Sequence, residues 1–363
     1  MSKKKICFIA QFPPPIHGLS KAVETLYNSA GRDIYEFVKV DITQNNKFGS
    51  NLWKILNSNY DLYYLTISQT KGGNIRDLLI MMLLGIRNKK CIVHLHGGYY
   101  RTLVDKDMSK VQRILNYRIF SKLQGAIVLS ESLKWHFEGM VDSRKIYVVE
   151  NCLDNEFLPN IEEIYAKQLA LGTSKRVKHI LYLSNFIRSK GYPFVLELAK
   201  KEKERFTKEG IRKYHFDFAG KFFEDGEQRF FEEYVKDNKL EKYVTYHGIV
   251  SGNAKTRLLN ECDVFALPTY YPKEGQPISI LEAMGNGMTI ISTRHAGIPD
   301  VVKHGENGIL LEDLDVDYAY NALECLPFAD IAKKNYIVVK NRFTEENYLN
   351  SMYRSFEKAL LEE

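Results

Sequence analysis

None of the five cysteines, at positions 7, 91, 152, 262 and 325, has a partner at Cys-x-x-Cys spacing. The chain therefore offers neither a zinc pattern nor a disulfide framework, and reads as a protein of a reducing compartment. It also has no apolar run long enough to cross a membrane. The opening, Met1-Ser-Lys-Lys-Lys-Ile-Cys-Phe-Ile-Ala10, holds only five apolar residues in a row, too few for a signal peptide or a span, so a cytoplasmic location is expected. Residues 75–86 are apolar nearly all round but too short to span. They read as a buried crossover helix, with contact to a membrane surface as the alternative. Internal repeats and low-complexity tracts are absent. No glycine fingerprint of a nicotinamide dehydrogenase follows a strand, since Gly285-Asn-Gly287 ends a helix and lacks a third glycine three residues on. No basic run is interleaved with aromatics, so nucleic acid is not an expected partner.

What is present is length and alternation. The chain has 363 residues, 45% of them apolar, enough for two domains with separate cores. Strand-like runs at 6–10, 37–42, 62–67, 91–96, 125–129 and 146–149 are followed, after a linker reaching to about residue 176, by others at 179–184, 215–219, 243–247, 263–268, 288–293 and 309–311. Helical stretches are expected at 101–123, from 132, at 227–238 and at 344–361. The fold class is α/β.

The most informative stretch is Glu274-Gly-Gln-Pro-Ile-Ser-Ile-Leu-Glu282. It lies between two buried strands, with Pro277 at the first position of a short helix. Ligands of open α/β sheets bind where loops leave the carboxyl ends of strands. Here such a loop carries one carboxylate, then the backbone N–H groups of Gly275, Gln276, Ile278 and Ser279, then a second carboxylate. Carboxylates accept from sugar hydroxyls and helix starts attract phosphate, so a nucleotide sugar suits the set. The plainer alternative is a solvated loop glutamate and an exposed helix glutamate.

Together with Tyr246-His-Gly248, Asp263-Val-Phe-Ala-Leu-Pro268, Ala283-Met-Gly-Asn-Gly287, Ala296-Gly-Ile-Pro-Asp300 and Gly305-Glu-Asn-Gly308, this stretch resembles the family 4 glycosyltransferases, retaining enzymes of the GT-B type. The resemblance implies two Rossmann-like domains facing a central cleft, with a C-terminal helix crossing back to the first domain. The expected division is an acceptor-side domain at 1–165, a nucleotide-sugar domain at 166–342 and the returning helix at 343–363. Glu150-Asn-Cys-Leu-Asp154 is similar to the family's Asn-Gly-x-Asp interdomain element, with Cys152 in place of glycine.

The resemblance also implies roles. The donor substrate is a nucleoside-diphosphate sugar, with no cofactor and no metal. His96 would contact the donor sugar, while His94 packs in the core. Gly18 lies in the loop beside the donor, and nearby His17 reads as an ordinary loop histidine, with direct catalytic use as the alternative. Lys190 would meet the diphosphate. The family's Gly-Arg pair is replaced by Ser184-Asn185, and Arg188 is a candidate for the missing charge. Ile249 would hold the base through its backbone, Glu274 would position the sugar, and Glu282 would accept from the ribose hydroxyls. His96, Lys190 and Glu274 form the expected catalytic set; Gly18, Asn185, Arg188, Lys190, Ile249, Gly275, Gln276, Pro277, Ile278 and Glu282 form the expected donor site. A non-catalytic binder of nucleotide sugars is the competing reading because of Asn185. Asp313-Leu-Asp315 and Asp315-Val-Asp317 look like the Asp-x-Asp metal motif of the other large transferase fold, but are expected to N-cap a helix at Asp315 or Asp317.

The acceptor is expected to be a lipid-linked saccharide at a membrane face. Residues 1–170 hold 23 Lys and Arg against 16 Asp and Glu, while the remainder holds 28 against 29. Lys3-Lys4-Lys5, Arg87-Lys89-Lys90 and Arg113 with Arg118 are the clusters that would attract anionic headgroups.

Overall fold

A computed structural model describes residues 3–14, 18–153, 155–173 and 176–362; His17 and Asp154 lie outside them. The chain divides into two compact units, Met1–Asn151 with Glu345–Glu363, and Cys152–Thr344.

In the first unit, apolar strands separated by helices form a six-stranded parallel sheet, in the order β2-β1-β3-β4-β5-β6. The strands are β1 (Lys4–Ala10), β2 (Tyr35–Asp41), β3 (Leu62–Thr66), β4 (Cys91–His94), β5 (Gly125–Val128) and β6 (Ile146–Val148). The crossovers are α1 (Gly18–Asn28), α2 (Phe48–Leu56), α3 (Lys71–Ile86), and the single turn α4 (Tyr100–Thr102) followed by α5 (Lys110–Phe120). The predicted helix over 101–123 is broken. Ser109 accepts from the Gln112 N–H and starts α5 afresh, and Asp105 and Asp107 are drawn off to Arg101 and Tyr99. The helix expected from residue 132 is a 3-10 segment, Glu131–His136.

Two buried histidines make this unit acid-sensitive. Burial, and then the neighbouring His96, hold the His94 pKa well below the usual imidazole range. Burial, and then Arg101, lower His136 to about 4. The unfolded chain binds protons first, so stability falls as pH drops below about 6.5 and keeps falling to about 4. From His136 alone the loss amounts to about 3 kcal/mol. Denaturant unfolding compared at pH 7 and pH 4.5 checks this; a flat profile would show that neither ring is held neutral.

The second unit repeats the plan in the order β12-β11-β10-β7-β8-β9. Its strands are β7 (Lys178–Leu183), β8 (Tyr214–Ala219), β9 (Val244–Tyr246), β10 (Val264–Leu267), β11 (Thr289–Thr293) and β12 (Gly308–Leu311). Its helices are α6 (Ile161–Thr173), α7 (Tyr192–Glu209), α8 (Asp225–Asp237), α9 (Gly252–Glu261), α10 (Ile278–Gly285), α11 (Val316–Glu324) and α12 (Phe328–Arg342). The unit begins at Cys152, earlier than the expected residue 166, because the supposed linker is structured. Asn160 and Glu163 cap the start of α6 reciprocally. Lys167 then pins that helix to the sheet, its ammonium donating to the carbonyls of Cys262 at 2.5 Å and Asn286 at 2.8 Å. Burial lowers its pKa to about 8.

Asp315 N-caps α11, accepting from the Tyr318 N–H at 2.9 Å, and Asp317 pairs with Lys201. The final helix, α13 (Glu345–Leu361), returns to the first unit. There Phe356 packs against Phe8 and Tyr64, and the Tyr353 hydroxyl accepts from the Gly31 N–H at 2.9 Å and donates to Ser29 Oγ at 2.7 Å, an approach that a Cβ at residue 31 would block.

Candidate nucleotide-sugar site

In the second unit the loops leaving β7 and β10 are laced together. The Tyr270 N–H donates to the Ser189 carbonyl at 2.8 Å. Gly191 lies in the left-handed region at φ +88°, and a Cβ there would come 2.3 Å from the Pro268 oxygen. Only glycine allows this approach, and it sets Lys190 against the second loop. Lys190 Nζ lies 2.8 Å from Glu274 Oε2, with the lysine side chain 17% exposed and that of the glutamate 11%. Thr269 Oγ1 donates to the same oxygen at 3.3 Å. Residues 274–277 are buried, and α10 starts from Pro277 with no side-chain cap. Pro277 is thus the N-cap itself, one place earlier than expected.

The same unit holds a cavity of about 280 Å³, lined among others by Asn185 from the loop after β7, by Ser279 and Glu282 from α10, and by Gly220, Ile249 and Lys255. Gly220 is another enforced glycine, at φ +147°, because a Cβ would meet the Ser184 carbonyl oxygen at 1.9 Å. Ile249 is exposed, while Glu282 is buried. Lys255 Nζ lies 2.6 Å from Glu282 Oε1 and sits over the Phe157 ring at 4.3 Å. The plainer reading of Glu282 as an exposed helix residue therefore fails.

Three expected donor-site residues, Asn185, Ile249 and Glu282, meet in one cavity, with Lys190 and Glu274 paired in the adjoining loops. Gly275, Gln276, Pro277 and Ile278 form the start of α10. Arg188 is turned elsewhere. Its Nε lies 3.0 Å from Glu227 Oε1 on α8, and its guanidinium stacks over Phe230 at 4.4 Å. The cations lining the cavity are Lys221 and Lys255, and neither was singled out from the sequence. The signal for Lys255 was faint, since α9 has few apolar residues beyond Leu258 and Leu259 and was not anticipated as a helix.

In the first unit, His96 follows the end of β4, its ring 3.9 Å from that of His94. His94 is fully buried, its Nδ1 2.8 Å from the Tyr64 hydroxyl. Gly18 opens α1.

Residues 166–326 match the family model of glycosyl transferases group 1. The chain is 27% identical over 293 residues to a 2-deoxystreptamine N-acetyl-D-glucosaminyltransferase of Niallia circulans, covering 76% of this chain and 71% of that protein. It is 28% identical over 280 residues to a UDP-Gal:alpha-D-GlcNAc-diphosphoundecaprenol alpha-1,3-galactosyltransferase of Escherichia coli, covering 75% and 68%. Among solved structures, it is similar to HepE of Anabaena in complex with UDP, at 15% identity and a TM-score of 0.73 over 98% of this chain and 99% of that one. A glycosyltransferase from Rickettsia africae is similar over the whole of both chains, at 15% identity and a TM-score of 0.75. These likenesses define a GT-B fold.

Proposed function

Because this chain belongs to the group 1 glycosyltransferases, retaining enzymes that take sugar from a nucleotide sugar, we propose that it glycosylates a lipid-linked saccharide of a surface-polysaccharide pathway and needs no divalent metal. The observation that carries the donor half is the largely buried Lys190–Glu274 pair, in the loops after β7 and before α10, with Asn185 of the first loop and Glu282 of α10 sharing one cavity with Lys255. Cleaving the bond between the anomeric carbon and the diphosphate leaves a strongly anionic group, and catalysis rests on positive charge fixed where that charge develops. Lys190 and the uncapped start of α10 supply it. Glu274 orients the sugar, Glu282 holds the ribose hydroxyls, and the backbone at Ile249 meets the base. On the retaining, front-face route, the acceptor oxygen bonds to the anomeric carbon on the side the phosphate leaves. The departing phosphate oxygen takes the acceptor's proton.

The acceptor half is supported by the basic excess of residues 1–170 and by the Escherichia coli relative, a galactosyltransferase acting on a diphosphoundecaprenol-linked sugar. No helix among the described residues is long and apolar enough to cross a membrane.

The test supplies radiolabelled UDP-sugars with a lipid extract, with and without excess chelator. Label should enter the lipid fraction equally in both. Nucleotide binding without transfer to any acceptor would leave a binding protein. Activity abolished by chelator and restored by manganese would overturn the metal-free mechanism.

A further inference from the structure

The connections β2 to β3, β3 to β4 and β4 to β5 all advance in one direction across the first sheet, whereas β1 to β2 runs the other way. Right-handed crossovers therefore put α2, α3 and α5 on one face, and α3 touches both of its neighbours. The outer side of this layer is apolar. On α3, Ile75, Leu79, Met82 and Ile86 recur at intervals of one helical turn and are 39–73% exposed. On α5 the exposed apolar residues are Val111, Ile114 and Leu115; on α2 they are Trp53 and Leu56. So the expected buried crossover helix is buried on one side only, where Leu78, Met81 and Leu84 pack.

The charges on this layer are of one sign. The three helices carry a single carboxylate, Asp77, which is buried and held by Arg76 at 2.8 Å. Lys54, Lys110, Arg113, Arg118 and the adjacent Lys122 are exposed. Among the described residues none of them makes an ion pair. The other basic clusters are occupied. Lys4 and Lys5 pair with Asp61 and Glu36, Arg87 donates to the carbonyls of Ile55 and Ser58, and Lys90 donates to those of Leu360 and Glu362.

We propose that the outer faces of α2, α3 and α5 dock on an anionic lipid bilayer. The α3 stripe enters the headgroup boundary, Trp53 sits at the interface, and the α5 cations meet lipid phosphates. A second copy of the chain is a poorer occupant, because a two-fold contact would bring these cations together with no exposed carboxylate between them. The docking face takes its biological sense from the lipid-linked-acceptor reading, but its geometry is independent of it.

The full chain should sediment with phosphatidylglycerol vesicles in preference to phosphatidylcholine vesicles, less so at high salt. Arg113→Glu with Arg118→Glu, and separately Leu79→Asp with Ile114→Asp, should each lower that partitioning by about tenfold or more. Both should keep the wild-type thermal unfolding midpoint and nucleotide binding. Equal partitioning to both lipids, or double variants that bind as the wild type does, would overturn the proposal. So would a dimer in sedimentation velocity that Leu79→Asp with Ile114→Asp dissolves, since the face would then be a self-contact. Vesicle binding through this face, with no sugar transferred to any lipid acceptor presented in detergent micelles, would uphold the docking surface and sink the acceptor reading.

Discussion

Lys190→Ala should lower kcat by about a hundredfold to a thousandfold, the scale for removing a preorganised group that stabilises charge developing in the transition state. The lysine has a second task that complicates the measurement. It neutralises Glu274, a buried carboxylate 2.8 Å away, and breaking a buried pair from one side destabilises by about 3–5 kcal/mol. Glu274→Gln and the double variant separate the two. If Lys190 only held Glu274 in place, its removal would cost nothing further once residue 274 is glutamine. If it also meets the departing diphosphate, the double variant should be slower than Glu274→Gln by a further factor of about ten or more. Arg188→Ala is the control. With its guanidinium held by Glu227 and stacked on Phe230, its loss should change kcat less than threefold, a small fraction of what losing an oxyanion-stabilising donor costs. A loss as deep as that of Lys190 would mean that Arg188 swings away from Glu227 to serve the donor.

Much of the local geometry of these loops could be read from the chain because it is set by near neighbours. A loop at a strand end, Pro277 at a helix start and glycines at 191 and 275 are set by neighbours a few residues away. Pairings across distance were not legible. Lys190 is 84 residues from Glu274 and Lys255 is 27 from Glu282, and no periodicity links them. Arg188 shows the converse. Its place in the motif pointed to the donor, but Glu227 and Phe230 on α8 form the nearer and better-matched partners. Helices α9 and α12 escaped notice because their apolar positions are sparse or diluted by lysine and asparagine, whereas α3 was obvious and yet half misjudged. A run apolar on every side does not say which side the sheet will cover. Near α6 a usable local signal is present, the Asn160-x-x-Glu163 capping pair, in a stretch whose composition otherwise reads as linker.

Glu282→Ala should weaken nucleoside-diphosphate binding by roughly ten- to a hundredfold, since hydrogen bonds to a charged acceptor contribute about 1.5–3 kcal/mol. If the carboxylate accepts from ribose, the wild type should discriminate against 2′- and 3′-deoxy analogues, and the variant should not. Calorimetry that found the same affinity in both would remove Glu282 from the donor site. Lys255 then poses a sharper question, because it lies 2.6 Å from that carboxylate and lines the cavity that also holds Asn185, the residue at the place where the family resemblance implies an arginine. As a positioning residue it would fix the carboxylate, and Lys255→Ala would weaken uridine and UDP by the same factor. As a phosphate ligand it would weaken UDP far more than uridine, with a penalty that shrinks as salt is raised. The geometry favours the first outcome. The ammonium is already engaged by Glu282 on one side and by the Phe157 ring on the other, and reaching a diphosphate would mean abandoning a buried carboxylate. An equal loss for uridine and UDP in Lys255→Ala, together with the loss of ribose discrimination, is the expected result.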